Sequence, residues 1–193
     1  KGETIGKATR KECHNGSKML HPVVHLHIFN KAGDLYLQKR SINKDIQPGK
    51  WDTAVGGHID YGETVEDALH REVREELGIT DFIPQFITRY VFESAIEKEL
   101  VNTYRTTYDG PIIPDPSELD GGRFWSPSEI LENMGKGIFM SRNFAFTVLN
   151  ISSNGIARCA FIHSFIAFIL LRNFFLLVFT LQRKNSLFPS IPQ

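Results

Sequence analysis

Glu72, Glu75 and Glu76 stand at positions i, i+3 and i+4 in the run Arg71-Glu72-Val73-Arg74-Glu75-Glu76. On a helix that spacing puts three carboxylates on one face. Like charges placed so closely repel one another, and a divalent cation is the usual reason to keep them together. Oxygen donors of this kind suit Mg²⁺ or Mn²⁺, hard ions that also bind phosphate oxygens. The chemistry indicated is work on phosphate groups.

The elements that must position these carboxylates are legible around them. Gly62 ends a loop, and Thr64 with Asp67 three residues on forms a capping-box-like pair. Val65, Ala68, Leu69, Val73 and Leu77 make an apolar stripe at helical spacing, and Gly78 follows where a left-handed terminal residue is wanted. The glutamates fall outside that stripe, on a face free to look into a cleft. Glu63 lies just ahead of the helix, within reach of Arg71, which would hold the loop against it.

A cluster of glutamates alone reads more simply as a solvated helix with surface ion pairs such as Asp67 to Arg71. The wider pattern argues otherwise. From Gly57 to Ile79 the chain reads GHIDYGETVEDALHREVREELGI, with Gly57, Glu63, Arg71-Glu72, Glu75-Glu76, Gly78 and Ile79 at fixed intervals. This stretch resembles the Nudix box, with every fixed position filled. Proteins of that family are mostly hydrolases of a nucleoside diphosphate linked to another group, and they cut a phosphoanhydride with water. The resemblance implies Mg²⁺ or Mn²⁺ held by Glu72, Glu75 and Glu76, with the carbonyl of Gly56 as a further ligand. It implies a catalytic set of Glu72, Glu75, Glu63 and Arg71, in which Glu72 activates the water and Arg71 orients Glu63. The chemistry agrees: cations bridging phosphates neutralise developing charge, and a carboxylate takes the proton from water. No covalent nucleophile is evident near the box.

A second resemblance runs from about Gly6 to Trp125. His14, the segment LHPVVHLHIFN containing His21, the segment LQKRSINKDIQPGKW, the Gly-Gly-His ending at His58, and Glu97-Lys98-Glu99 look like the Nudix branch that contains isopentenyl-diphosphate isomerase. In that isomerase the positions matching His14, His21, His58, Glu97 and Glu99 bind a metal. Those matching Arg10, Arg40 and Lys44 face the substrate diphosphate. The resemblance thus implies a second divalent metal site; imidazole with carboxylate accepts Zn²⁺ or Mn²⁺ as well as Mg²⁺. Read without the resemblance, the same five residues are unrelated polar groups. Two departures oppose isomerase activity. The isomerase has a cysteine where this chain has Gly56, and it lacks the full glutamate set retained here. The expected function is a metal-dependent pyrophosphohydrolase; the alternatives are the isomerase and a non-catalytic Nudix-fold binding protein. His25 and His27 share a strand face and read as hydrogen-bonded structural histidines, and His70 as a helix-surface residue.

Net charge is zero, which offers no broad argument for nucleic acid or an anionic membrane. All 22 acidic residues lie at or before Glu132, whereas six Lys and Arg follow it, so the front of the chain is net acidic. Lys39, Arg40, Lys44 and Lys50 cluster ahead of the box, suited to phosphates or simply to a solvated loop. The two cysteines are far apart in sequence and make no disulfide framework, and no apolar segment opens the chain. A reducing cytoplasm is therefore the expected setting. The expected partner is a small-molecule diphosphate; nucleic acid is not expected, and a homodimer is left open.

Strands are predicted at Val23–Phe29, Leu35–Lys39, Trp51–Val55, Phe82–Glu93, Glu99–Tyr108 and Arg123–Trp125. Ser126-Pro127-Ser128-Glu129 opens a final helix running to about Met134. This order fits an α/β fold, the Nudix-type α/β/α sandwich with a mixed sheet, over residues 1–137. Residues 138–193 are an atypical apolar C-terminal tail holding ten of the fifteen phenylalanines, if Phe139 is included. Within it, Phe161 to Leu181 matches the roughly 20 residues of a membrane span, but Arg172 sits near its middle. A membrane anchor, a buried or interface helix, and an accidental tail are the readings open.

Overall fold

The computed structural model describes residues 3–44 and 46–140. The chain enters through a one-turn helix, α1 (Arg10–Cys13), and then forms β1 (Leu20–Phe29), β2 (Leu35–Arg40), β3 (Trp51–Asp52) and β4 (Val55–His58). A long helix, α2 (Val65–Leu77), follows, then β5 (Gln85–Glu93), β6 (Lys98–Thr107), β7 (Leu119–Trp125) and α3 (Pro127–Asn133). The sheet is mixed. Its order is β3-β2-β1-β6-β5, with β4 also on β1 and β7 also on β2. β1 and β6 run parallel, and the other pairings between these strands are antiparallel.

β1 is the centre of this arrangement because it is split between partners. Its first half pairs with β4, from Val23 opposite His58 to Leu26 opposite Val55. Its last residues, Ile28 and Phe29, pair with β2. Val24, Leu26 and Ile28 point to one face and are fully buried with Ala68, Leu69, Val73 and Leu77 of α2. The opposite face carries His21, Val23, His25 and His27.

α2 forms where the sequence marks it. The Thr64 side chain accepts from the Asp67 N–H at 3.1 Å, and Gly78 closes the helix at φ +66°. Each large apolar side chain buried here contributes about 1.5–3 kcal/mol. Leu69→Ala is therefore expected to cost about 2–5 kcal/mol. Urea titration should show the loss as a lower midpoint at unchanged slope.

Several boundaries differ from expectation for local reasons. Trp51–Val55 is not one strand: the chain bends at Thr53 and Ala54 as it passes from pairing with β2 to pairing with β1. The Thr53 hydroxyl donates to the Val55 carbonyl at 2.9 Å within that bend. β5 starts only at Gln85, after Pro84, which has no N–H for a ladder. β7 reaches back to Leu119 through Gly121 and Gly122; a side chain at Gly122 would overlap the Tyr36 hydroxyl. α1 was not anticipated, although Thr9 and Glu12 cap it reciprocally.

Pairing continues past Gly137: the Trp51 N–H donates to Ile138 O and the Met140 N–H to Trp51 O, both at 2.9 Å. Among the described residues no helix is long and apolar enough to cross a membrane. The stretch Phe161 to Leu181 lies outside the described residues.

Candidate active site

Arg71 organises the carboxylates of α2. Its Nε and Nη2 donate to the two oxygens of Glu63, each at 2.9 Å. Its Nη1 reaches Glu72 at 2.9 Å and Glu75 at 3.3 Å, and Nη2 also donates to the His58 carbonyl at 3.0 Å. One guanidinium thus ties the helix to the loop before it and to the end of β4, the geometry for which its planar fork is suited. It holds the Glu63 carboxyl below the usual range. Its partner is not Asp67, the surface pair a bland helix would have used.

Glu72 and Glu76 face inward, and Glu75 lies at the rim. The Glu72 side chain is 14% exposed and that of Glu75 53%. Glu72 lies directly against Gly57, where any Cβ would overlap its carboxyl group. Burial pushes the Glu72 carboxyl up. Glu76 is pushed up to about 8, first by burial and then by the charges of Glu72 and Asp52. The Gln38 amide donates to Glu76 at 3.3 Å, and Gln38 pairs with Asp52 across β2 and β3. Two largely inward acids, one raised by burial and the other by burial and its neighbour's charge, suit a divalent cation.

A second constellation lies on the opposite face of β1. His14 follows α1, His21 is in β1, and His58 ends β4. Their ligand-capable nitrogens lie within 4.8 Å of one another, the one such group of three among the described residues. The Nε2 atoms of His14 and His58 are 2.8 Å apart. His14 Nδ1 contacts Glu97 at 2.7 Å, and His21 Nδ1 lies 3.0 Å from the Met19 carbonyl. Those contacts fix the outer nitrogens and turn the inner ones toward each other, the arrangement usual for metal-ligating histidines. His21 Nε2 is buried with no hydrogen-bond partner. Glu99 is opposite His21 in the β1–β6 register, and burial, then Glu97, pushes it up to about 7. The donor set fits a divalent ion.

The candidate phosphate-facing cations are placed differently. Arg10 acts electrostatically on His14, His58 and Glu99. Arg40 donates to Asp52 at 3.3 Å and to the Ile46 carbonyl at 3.1 Å. Lys44 is paired with Glu118 and lowers the proton affinity of Glu76.

The NUDIX domain family matches residues 19–142. This chain belongs to the Nudix family. It is 34% identical over 105 residues to an uncharacterised Nudix hydrolase of Pseudomonas aeruginosa, covering 54% of this chain and 62% of that one. It is 35% identical over 132 residues to an isopentenyl-diphosphate Delta-isomerase of Mycolicibacterium vanbaalenii, covering 65% and 72%. Among solved structures, the crystal structure of DR0079 from Deinococcus radiodurans superposes with a TM-score of 0.66 at 26% identity, covering 76% and 91%. The chain thus spans less than two thirds of the length of the Pseudomonas relative.

Sequence reasoning passed over Gln38, Asp52 and Glu118 in this Nudix domain. The alternation in β2 was the available signal, since it puts Gln38 and Arg40 on one face. The reading of His25 and His27 as hydrogen-bonded is corrected. Both ring nitrogens of His27 and Nδ1 of His25 are buried without a hydrogen-bond partner.

Burial, then His25, pushes His27 down to about 3. The unfolded imidazole has a pKa of about 6.5. Between the two values the unfolded chain binds a proton that the folded chain does not, so stability falls as pH drops from about 6.5 toward 3. Melting temperatures between pH 7 and pH 4 should therefore decline more steeply in the parent than in His27→Leu. Parallel declines would show that His27 titrates as it does in the unfolded chain.

Proposed function

We propose that this Nudix protein is a divalent-metal-dependent pyrophosphohydrolase that cleaves a phosphoanhydride in a nucleoside diphosphate derivative. The observation that carries the reading is the pair of inward carboxylates, Glu72 and Glu76, held beside Gly57 by the Arg71–Glu63 clamp. Glu72, Glu75, Glu76 and the Gly56 carbonyl would hold Mg²⁺ or Mn²⁺. That ion supplies neutralisation of charge on the phosphate oxygens. Glu72, whose proton affinity is already raised by burial, takes the proton from the attacking water. Arg71 keeps Glu72 aimed and holds the Glu63 loop in place. Arg10, Arg40 and Lys44 supply positive charge toward the diphosphate. Water adds across the bridging P–O bond, and the two phosphate ends separate.

The isomerase is the second reading, favoured by the His14–His21–His58 cluster and by relatives bearing that name. Gly56 opposes it, because glycine has no side chain to exchange a proton. A binding protein without catalysis has less use for three glutamates set against one arginine. Phosphate release from nucleotides, nucleotide sugars and isoprenoid diphosphates with Mg²⁺ separates the three. No release from any of them would sink the hydrolase.

We assign a second divalent ion to His14, His21 and His58, with Glu97 orienting His14 and Glu99 beside His21. Equilibrium dialysis with Mn²⁺ or Zn²⁺ is expected to show one ion fewer per chain in His21→Ala than in the parent. Equal stoichiometry would dismiss this centre and leave the glutamate site untouched.

A further inference from the structure

β5 is an outer strand of the sheet: it pairs with β6, and among the described residues no strand pairs with its other side. The hairpin turn fixes which backbone groups face that side. The Ser94 N–H donates to the Glu97 carbonyl at 2.9 Å, so these two form a bonded pair. Bonded and non-bonded pairs alternate along an antiparallel ladder. Phe92 and Tyr90, opposite Glu99 and Val101, therefore turn their N–H and C=O groups toward β6. Glu93, Val91 and Arg89 turn theirs outward. The same three residues carry exposed side chains on one face of the strand, and Val91 is 51% exposed. At two-residue spacing they run basic, β-branched, acidic. A bulge between Phe86 and Thr88 ends the regular ladder on one side, and the turn ends it on the other. An exposed edge of this kind is a template for another strand.

We infer that the outer edge of β5 docks β5 of a second copy of this chain, antiparallel, about a twofold axis through Val91. The charges select both the partner and the register. Residues directly opposite in an antiparallel pair share a face and interact. Centring on Val91 sets Arg89 of each copy opposite Glu93 of the other, with Val91 opposite Val91 and Tyr90 opposite Phe92. Those are the opposite-charge, β-branched and aromatic pairs that stabilise sheets. Centring on Arg89 opposes two guanidiniums, and centring on Glu93 opposes two carboxylates. Centring on Tyr90 or Phe92 gives neither charge an opposite partner. In the Val91 register the outward N–H and C=O groups of all three residues are satisfied across the joint. Leu100 and Pro22 lie beside Val91 in the next two strands, so an apolar row runs through it. Asn102 accepts from Arg89 Nε at 2.7 Å, which steadies the cation at the edge. An isologous contact of this kind closes at two copies. It is one short ladder, smaller than a standard interface, so the dimer is weak and depends on concentration. Pairing would brace the hairpin that carries Glu97 and Glu99.

The test is sedimentation velocity of the full chain over a wide concentration series. The parent is expected to pass from monomer to dimer. Val91→Lys opposes two ammonium groups at the axis and should weaken the dimer at least about tenfold. Its melting temperature, taken where the parent is monomeric, should hold, because the residue is exposed. Arg89→Glu and Glu93→Arg each oppose like charges and should weaken the dimer likewise. The two combined restore opposite charges and should return the dimer, which a general loss of fold would not do. Hydrogen exchange at the Arg89, Val91 and Glu93 amides should slow as the parent dimerises and stay fast in Val91→Lys. That measurement decides the matter if Arg89→Glu, which loses its bond to Asn102, melts early. A chain that is monomeric at every concentration overturns the inference. So does self-association that Val91→Lys leaves intact, the outcome expected if the apolar residues after Met140 drive it. A folded double variant that stays monomeric overturns the register and the inference with it.

Discussion

Replacing Glu76 with glutamine is expected to lower Mg²⁺-dependent phosphoanhydride hydrolysis at least about a hundredfold, a loss of about 2.7 kcal/mol in transition-state stabilisation. The fold should survive. Glu76 sits outside the apolar stripe of α2, and its partner, the Gln38 amide 3.3 Å away, can donate to an amide oxygen as it does to a carboxylate. The substitution keeps the shape and deletes the charge. That charge is the point, because burial first, and then the charges of Glu72 and Asp52, push Glu76 up to about 8, and a cation bound there would relieve both. Initial rates across a Mg²⁺ titration, with circular dichroism as the fold control, decide the matter. Unchanged turnover at every Mg²⁺ concentration would remove Glu76 from the metal set.

Gly57→Ala is expected to lower the rate by a similar factor, about a hundredfold, through a single added methyl group. The new Cβ would overlap the Glu72 carboxyl. A glutamate side chain is flexible, so the cheapest relief is for Glu72 to rotate away, which leaves the helix and strand in place. The loss should therefore appear in kcat with little change in melting temperature. Gly56→Ala is the structural contrast: its Cβ would meet only His25, at an ordinary 3.4 Å, so that variant should also fold normally. A Gly57→Ala protein with parental kcat would show that Glu72 does not act from the position it holds here.

The two substitutions also mark what was legible in the chain. The spacing from Gly57 to Ile79 carried the family, the helix and its caps, because those features are local: an apolar stripe, a Thr64 cap and a glycine at φ +66°. The mixed sheet with flanking helices was what the Nudix resemblance implied, and the order of periodic segments agreed with it. The spacing did not show that Gly57 is held to glycine by the Glu72 carboxyl. That contact joins β4 to α2 and exists only once both have packed.

Other features of the site depend on pairing between distant segments. His14, His21 and His58 come from a helix end, a strand start and a strand end, and sequence has no periodicity that links them. Their approach is set by the β1–β4 register, Val23 opposite His58, and by the short turn of α1. Gln38 and Asp52 meet because the chain bends at Thr53 and changes partner, which local propensity does not report. His25 and His27 show the same division from the other side. Alternation along β1 put them on one face with His21, as read from the chain. Only the packed sheet decided that this face would bury their nitrogens without partners, because satisfaction of a buried polar atom is a property of its neighbours in space.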